Sequence, residues 1–231
     1  EIRNCDWSSD VCSSDLTDTI VPITSCMVAL PEINEVLVSI REELAQRPGE
    51  KGEVRVLAFD GEVGARIEPA RGSVRTWGAK TVTVLVADAT LKVSPGDFVQ
   101  GNAEIATRMA QHVENWARAC TGQVAVELFC GSGTFTVPLL KAGMSVTGYE
   151  ISSGCQGPFR EATEPHGKAV FVEQDLLGIE PFPRNPPSGI NAILLDPPRS
   201  GAGEVMEWVA SSGASRVLMV SCDLEIGRAH V

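Results

Sequence analysis

The chain has 231 residues, 43% of them hydrophobic and 21% charged, the composition of an ordinary globular protein. No apolar run approaches the roughly 18 residues that span a bilayer and no signal-peptide pattern opens the chain, so no membrane partner and a cytoplasmic location are expected. The seven cysteines follow no regular framework, which argues against a disulfide scaffold, and a net charge of −11 argues against a large phosphate-binding surface.

The two ends read as foreign. Asp10 to Leu16 (DVCSSDL) can be written in codons whose reverse complement translates as EIGRAHV, which is Glu225 to Val231. Both segments resemble translated sequencing-adapter sequence, and the match continues upstream through Asp6, Trp7, Ser8 and Ser9. Residues 1–16 and 225–231 are therefore read as non-native tails on a gene cut at both ends, and neither is expected to add a strand or a buried contact. The first tail holds Glu1, Asp6, Asp10 and Asp15 against Arg3, and the second balances Glu225 against Arg228, so without them the net charge is −8. That acidity does not exclude RNA, because base flipping needs only a local contact surface.

Residues 17–97 read as a partial α+β region. Pro31 to Gln46 places Ile33, Val36, Leu37, Ile40 and Leu44 on one helical face, and Arg47, Pro48 and Gly49 end the helix. Val54 to Ala58, Gly64 to Ile67 and Thr81 to Ala87 alternate or run apolar between Gly and Pro punctuation, which predicts strands of a small sheet.

A different pattern fills residues 98–224. Asn102 to Ala119 predicts a helix. Strands are then expected over Val124 to Phe129, Ser145 to Glu150, Ala169 to Gln174, Ala192 to Asp196 and Arg216 to Ser221, separated by helical or loop crossovers. This alternation predicts an α/β fold with a parallel, doubly wound, Rossmann-like sheet, whose ligands sit at the carboxyl ends of the strands near the topological switch point.

The residues at those strand ends carry the chemistry. Glu127-Leu-Phe-Cys-Gly-Ser-Gly-Thr-Phe135 follows the first strand, and Gly131 and Gly133 let backbone N–H groups approach a ligand. Such a turn equally fits a dinucleotide site or a plain strand-to-helix corner. Glu150 ends the second strand, where a carboxylate can accept both ribose hydroxyls, and Asp175 follows the third, within reach of an adenine amino group. Together these acids favour an adenosine ligand, whether in NAD or in S-adenosylmethionine. Asp196-Pro-Pro-Arg199 follows the fourth strand, its prolines stiffening the flanking backbone. Cys222, at the end of the fifth, is placed for nucleophilic attack, although a single cysteine is often only a small buried apolar group.

In combination, Phe98-Val-Gln100-Gly-Asn102, Glu127 to Phe135, Glu150, Asp175, Asp196-Pro-Pro-Arg199 and Ser221-Cys222 resemble, in order and spacing, the catalytic domain of the RNA uracil-5 methyltransferases. The resemblance implies a class I methyltransferase fold, truncated at its C-terminus. It implies S-adenosylmethionine as cofactor, held by Gln100, Phe129, Gly131, Gly133, Thr134, Glu150, Asp175 and Asp196, with Arg199 near the target base and Cys222 as nucleophile. Thr134 stands where the family often has Asn, and Asp223 where Asn is common; both keep a polar group. Gly154, Gly157 and Pro158 make an unusually poor helix after the second strand, which puts the local structure there in doubt. Ser25-Cys26 to Pro31 resembles the segment that supplies the last cysteine ligand of a 4Fe-4S cluster in the ribosomal-RNA branch, although Cys26 is equally readable as a core cysteine.

The expected reaction is methylation of carbon 5 of a uridine in RNA, 23S rRNA before tRNA, by a monomer. A Cys222 thiolate adding to carbon 6 makes carbon 5 nucleophilic, and a general base then removes the carbon 5 proton. In the family that base is a glutamate well past the nucleophile, so this chain is expected to bind cofactor better than it turns over. Two other readings are an inactive S-adenosylmethionine- or RNA-binding module and an amino-group methyltransferase of nucleic acids, in which an aromatic residue usually follows the two prolines.

Overall fold

The computed structural model describes residues 11–14, 17–22, 24–27, 29–178, 182–198 and 201–221. They divide into two compact units. One reaches to Val84 and includes Val93–Gly101; the other comprises Leu85–Lys92 and the chain from Asn102 onward. The boundary expected at Phe98 thus falls slightly later.

In the first unit, β1 (Val11–Ser14) pairs antiparallel with β2 (Thr17–Pro22), Cys12 opposite Val21 and Ser13 opposite Ile20. The expectation that the N-terminal tail adds no strand is therefore corrected. The pairing is purely local: the hairpin joins neighbours in sequence, and the two strands form a sheet of their own, an arrangement that is marginally stable on its own.

Helix α1 (Pro31–Ala45) opens on a proline, tolerated there because the first N–H groups of a helix have no intrahelical acceptor. Its Ile33, Val36 and Ile40 pack on Val54 and Val56 of β3 (Gly52–Phe59) and on Ala65 and Ile67 of β4 (Glu62–Pro69). Asp60 and Gly61, both at positive φ, make the two-residue turn between these strands. Strand β5 (Arg75–Gly78) completes the antiparallel sheet. A two-stranded ribbon follows, β6 (Val82–Val86) and β7 (Ala89–Val93).

The second unit holds the expected parallel sheet. Its strands are β8 (Val124–Leu128), β9 (Ser145–Glu150), β10 (Ala169–Glu173), β11 (Ala192–Leu195) and β12 (Arg216–Met219), in the order β10-β9-β8-β11-β12 and all parallel. The order reverses between β8 and β11, so the switch point lies where Phe129 and Asp196 leave adjacent strands. Helix α2 (Ala103–Arg118) is capped by the Asn102 side chain, which accepts from the Ile105 N–H at 3.0 Å. Its Val113 and Ala117 join one core layer with Ala125, Leu139, Val146, Ala192 and Leu194. The alternate residues Val126, Leu128, Ile193 and Leu195 enter a second layer with Val205 and Val209 of α5 (Gly203–Ser211). All of β11 is buried, which explains its unbroken apolar sequence.

The doubted helix after β9 does form. A 3-10 turn, Ser153–Cys155, leads into α4 (Gln156–Thr163), and Pro158 falls in the first turn, where its missing N–H costs no hydrogen bond. Among the described residues no helix is long and apolar enough to cross a membrane.

Candidate cofactor site at the strand ends

The chain leaves β8 by a tight turn and enters α3 (Thr136–Lys141). Phe129 adopts a φ of 65°, which is unusual for a bulky residue, costs on the order of 1–3 kcal/mol and persists only because its surroundings enforce it. Gly131 and Gly133 follow at 52° and 97°, the conformations that favour glycine. The Cys130 N–H donates to the Tyr149 carbonyl at 3.1 Å and the Gly133 N–H to the Cys130 carbonyl at 3.0 Å, which ties the turn to β9. Its close fit also depends on a glycine in β9, since a Cβ at position 148 would lie 2.7 Å from the Cys130 sulfur.

Glu150 ends β9 facing this turn. One carboxylate oxygen accepts from the Gly131 N–H at 3.1 Å and the other from the Ser152 N–H at 2.9 Å. Each oxygen has a second lone pair with which to meet a ligand hydroxyl. Asp175 stands exposed just past the neighbouring β10, one oxygen accepting from the Leu177 N–H at 2.9 Å. Asp196 leaves β11 half-buried, its N–H donating to the Leu128 carbonyl at 3.3 Å, and burial raises its carboxyl pKa to about 6. Thr134 lies half-buried within the turn.

Three features of the site escaped the sequence reading. Glu127 is fully buried inside β8 and accepts a hydrogen bond from the Thr136 hydroxyl. Burial, together with repulsion from Asp196 and Glu150 and against the favourable Thr136 contact, raises its pKa to about 8, so it is largely uncharged at neutral pH. The signal was a lone acid in an apolar strand, followed by Thr136 just past the turn. Ser132, in the middle of the turn, is 5% exposed and its hydroxyl has no hydrogen-bond partner among the described residues. Such a buried orphan is what a bound polar ligand would satisfy. Gln174, counted only as the end of a strand, is buried and bonded through both ends of its amide.

Gln100 is half-buried and belongs to the first unit. Arg199, Cys222 and Asp223 lie outside the described residues. Cys26 is half-buried against the core of α1, β3 and β4, with its N–H and carbonyl both held by the Asn34 side chain at 2.7 and 3.1 Å. Among the described residues no group of three or more His, Cys, Asp or Glu could hold a metal, and one thiolate cannot hold a 4Fe-4S cluster. These residues alone do not fit that cofactor.

No protein-family model matches the chain. Over 138 residues it is 37% identical to the 23S rRNA (uracil(1939)-C(5))-methyltransferase RlmD of Pseudomonas entomophila, a match covering 56% of this chain and 29% of that protein. It is 36% identical over 136 residues to the enzyme of the same name from Aeromonas hydrophila, covering 58% of this chain and 31% of that one. Over that stretch the chain is similar to RNA uracil-C5 methyltransferases. It spans about a third of the length of these curated relatives. Its fold is that of the Pyrococcus abyssi tRNA (uracil-54, C5)-methyltransferase, solved with S-adenosyl-L-homocysteine, at a TM-score of 0.66 and 20% identity over 91% of this chain and 62% of that one. The Rossmann-like methyltransferase fold expected from the strand pattern is thus present.

Proposed function

We propose that the second unit binds S-adenosylmethionine and methylates carbon 5 of a uridine in RNA, in 23S rRNA before tRNA. The observation that carries this reading is the convergence of carboxyl groups on the Gly131–Gly133 turn. Glu150 bonds the turn directly, and Glu127 feels both Glu150 and Asp196. The Glu150 carboxylate on the turn, with Asp175 at the next strand end, would oppose a pyrophosphate and attract the sulfonium and ammonium groups of S-adenosylmethionine, while Glu127, largely protonated, adds no charge to the choice. This favours the methyl donor over a dinucleotide, the alternative the glycines alone left open. The relatives' names point to the same chemistry.

The bound cofactor supplies an electrophilic methyl group, and the chain supplies the rest. Glu150 is proposed to accept the ribose hydroxyls, Asp175 the adenine amino group, and the Ser132 hydroxyl to find its missing partner on the ligand. Cys222 is the proposed nucleophile. Its thiolate adds to carbon 6 of the uracil, and the electron pair of the 5,6 double bond moves to the carbonyl at carbon 4 as an enolate. Carbon 5 then takes the methyl group, a general base removes the proton there, and the carbon 6 to sulfur bond breaks. The uridine must leave its stack, which favours a flipped-out or loop base. A monomer working in the cytoplasm fits this reading, and no step is derived through an iron–sulfur cluster.

The test is an RNA carrying 5-fluorouridine, incubated with the chain and S-adenosylmethionine. Fluorine at carbon 5 cannot leave as a proton, so the adduct should persist as a slower band on a denaturing gel. Cys222→Ala should abolish the band. An adduct of equal yield with the alanine variant would remove Cys222 from the mechanism, and no adduct with either would favour an inactive binding module.

A further inference from the structure

Gln174 lies just past β10, between the two acids assigned to the adenosine. It is 3% exposed, and its main-chain N–H and both ends of its side-chain amide are engaged. Its main-chain N–H donates to the Glu150 carbonyl at 2.8 Å, extending the β9–β10 ladder by one bond. Its side-chain NH₂ donates to the Phe182 carbonyl at 2.7 Å, and its side-chain oxygen accepts from the Arg184 N–H at 2.8 Å. The amide thus behaves as one peptide unit of an extra strand. The Tyr149 hydroxyl, from a fully buried ring in β9, donates to the Arg184 carbonyl at 2.9 Å.

Phe182 and Arg184 are therefore tied to the ends of β9 and β10 by the side chains of Tyr149 and Gln174. Asp175 is the next residue after Gln174, and its carboxylate is turned by the Leu177 N–H. The fit is close, since a Cβ at Gly178 would lie 2.9 Å from the second Asp175 oxygen. An exposed carboxylate tells an amino group from a carbonyl more sharply when its direction is fixed, because a mobile one loses orientational entropy on bonding the amino group and can turn away from the carbonyl.

The geometry points to Gln174 as a positioning residue that, with Tyr149, locks the end of β10 so that the Asp175 carboxylate distinguishes an adenine from a 6-oxopurine. This rests on the cofactor reading above and adds to it the residue that sets purine specificity. Gln174 does not touch the ligand; it acts through Asp175.

The experiment measures the affinity of the whole chain for S-adenosylhomocysteine and for its inosine counterpart, in which an oxo group replaces the adenine amino group. The unsubstituted chain should prefer the adenine compound by about tenfold or more, the worth of one well-formed hydrogen bond to a charged acceptor. Gln174→Met, which keeps the volume and removes both amide bonds, should weaken the adenine compound about tenfold and leave the inosine compound within about threefold. Tyr149→Phe, which keeps the packed ring, should move the ratio the same way by a smaller factor and remains informative if the methionine variant does not fold. Equal weakening of both compounds would make Gln174 merely structural and overturn the inference, as would parental discrimination in both variants. Failure of the unsubstituted chain to bind either compound would instead overturn the cofactor reading itself, and the inference with it.

Discussion

Glu127→Gln should remove a large fall in stability between mildly acidic and mildly basic pH. Burial raises the Glu127 pKa from 4.5 to about 8 in the folded chain. Between those values the folded state holds a proton that the unfolded state has lost. Stability is then greatest below pH 4.5, declines as pH rises, and levels off beyond about 8. The decline should be on the order of 5 kcal/mol, since each unit of raised pKa corresponds to about 1.4 kcal/mol. Glutamine has the same shape and still accepts from the Thr136 hydroxyl, but it cannot ionise. Urea unfolding at pH 5 and pH 8.5 should therefore show similar stability for both forms at the lower value and a clear advantage for the glutamine form at the higher. Asp196, raised to about 6, contributes a slope of the same sign in both forms, so the difference reports Glu127 together with its repulsion from Asp196. Parallel pH profiles would mean that Glu127 is ionised in the folded chain.

Phe159→Ala should cost about 3–5 kcal/mol, the usual range for deleting a buried aromatic ring. Phe159 is 1% exposed and meets Phe171 edge-on, with ring centroids 5.3 Å apart and planes at 65°. Its ring also lies beneath two glycines of the candidate site: Cβ atoms there would come within 3.5 Å of it at Gly133 and 3.1 Å at Gly148. Removing it opens a cavity under the turn, so cofactor affinity should fall together with the denaturation midpoint. Phe159→Leu, which fills part of the space, should lose much less. A loss below about 1 kcal/mol for the alanine variant would show that the turn does not depend on this ring.

The parallel sheet was legible because a strand buried on both faces is a continuous apolar run. Ala192 to Leu195 could hardly be anything else once flanked by Asn191 and Asp196. All five strands stand within two residues of their expected ends. β7 was missed although Ala89, Leu91 and Val93 alternate and are buried, because the strand before it seemed complete at Ala87. β5 carried little signal, as Arg75 to Gly78 is short and mostly polar. In the site, glycines and strand-end acids could be read from order and spacing alone. Contacts across strands could not: nothing in sequence tells that Glu127 turns into the core toward Thr136, that Gly148 leaves room for the Cys130 sulfur, or that the Gln174 amide reaches Phe182 and Arg184. A lone acid in an apolar strand flags Glu127 as unusual, but its partner and the other contacts depend on sheet register, which the sequence does not encode locally.

The most direct test of the cofactor site is calorimetric titration of S-adenosylmethionine into the chain and into Glu150→Ala. Alanine leaves the Gly131 and Ser152 N–H groups, and the ribose hydroxyls of the proposed ligand, without their acceptor. The unsubstituted chain should bind one equivalent, and the alanine variant should bind more weakly by roughly 1–3 kcal/mol. Equal affinity in the two forms, or no heat of binding in either, would contradict the assignment of the strand ends as the cofactor site.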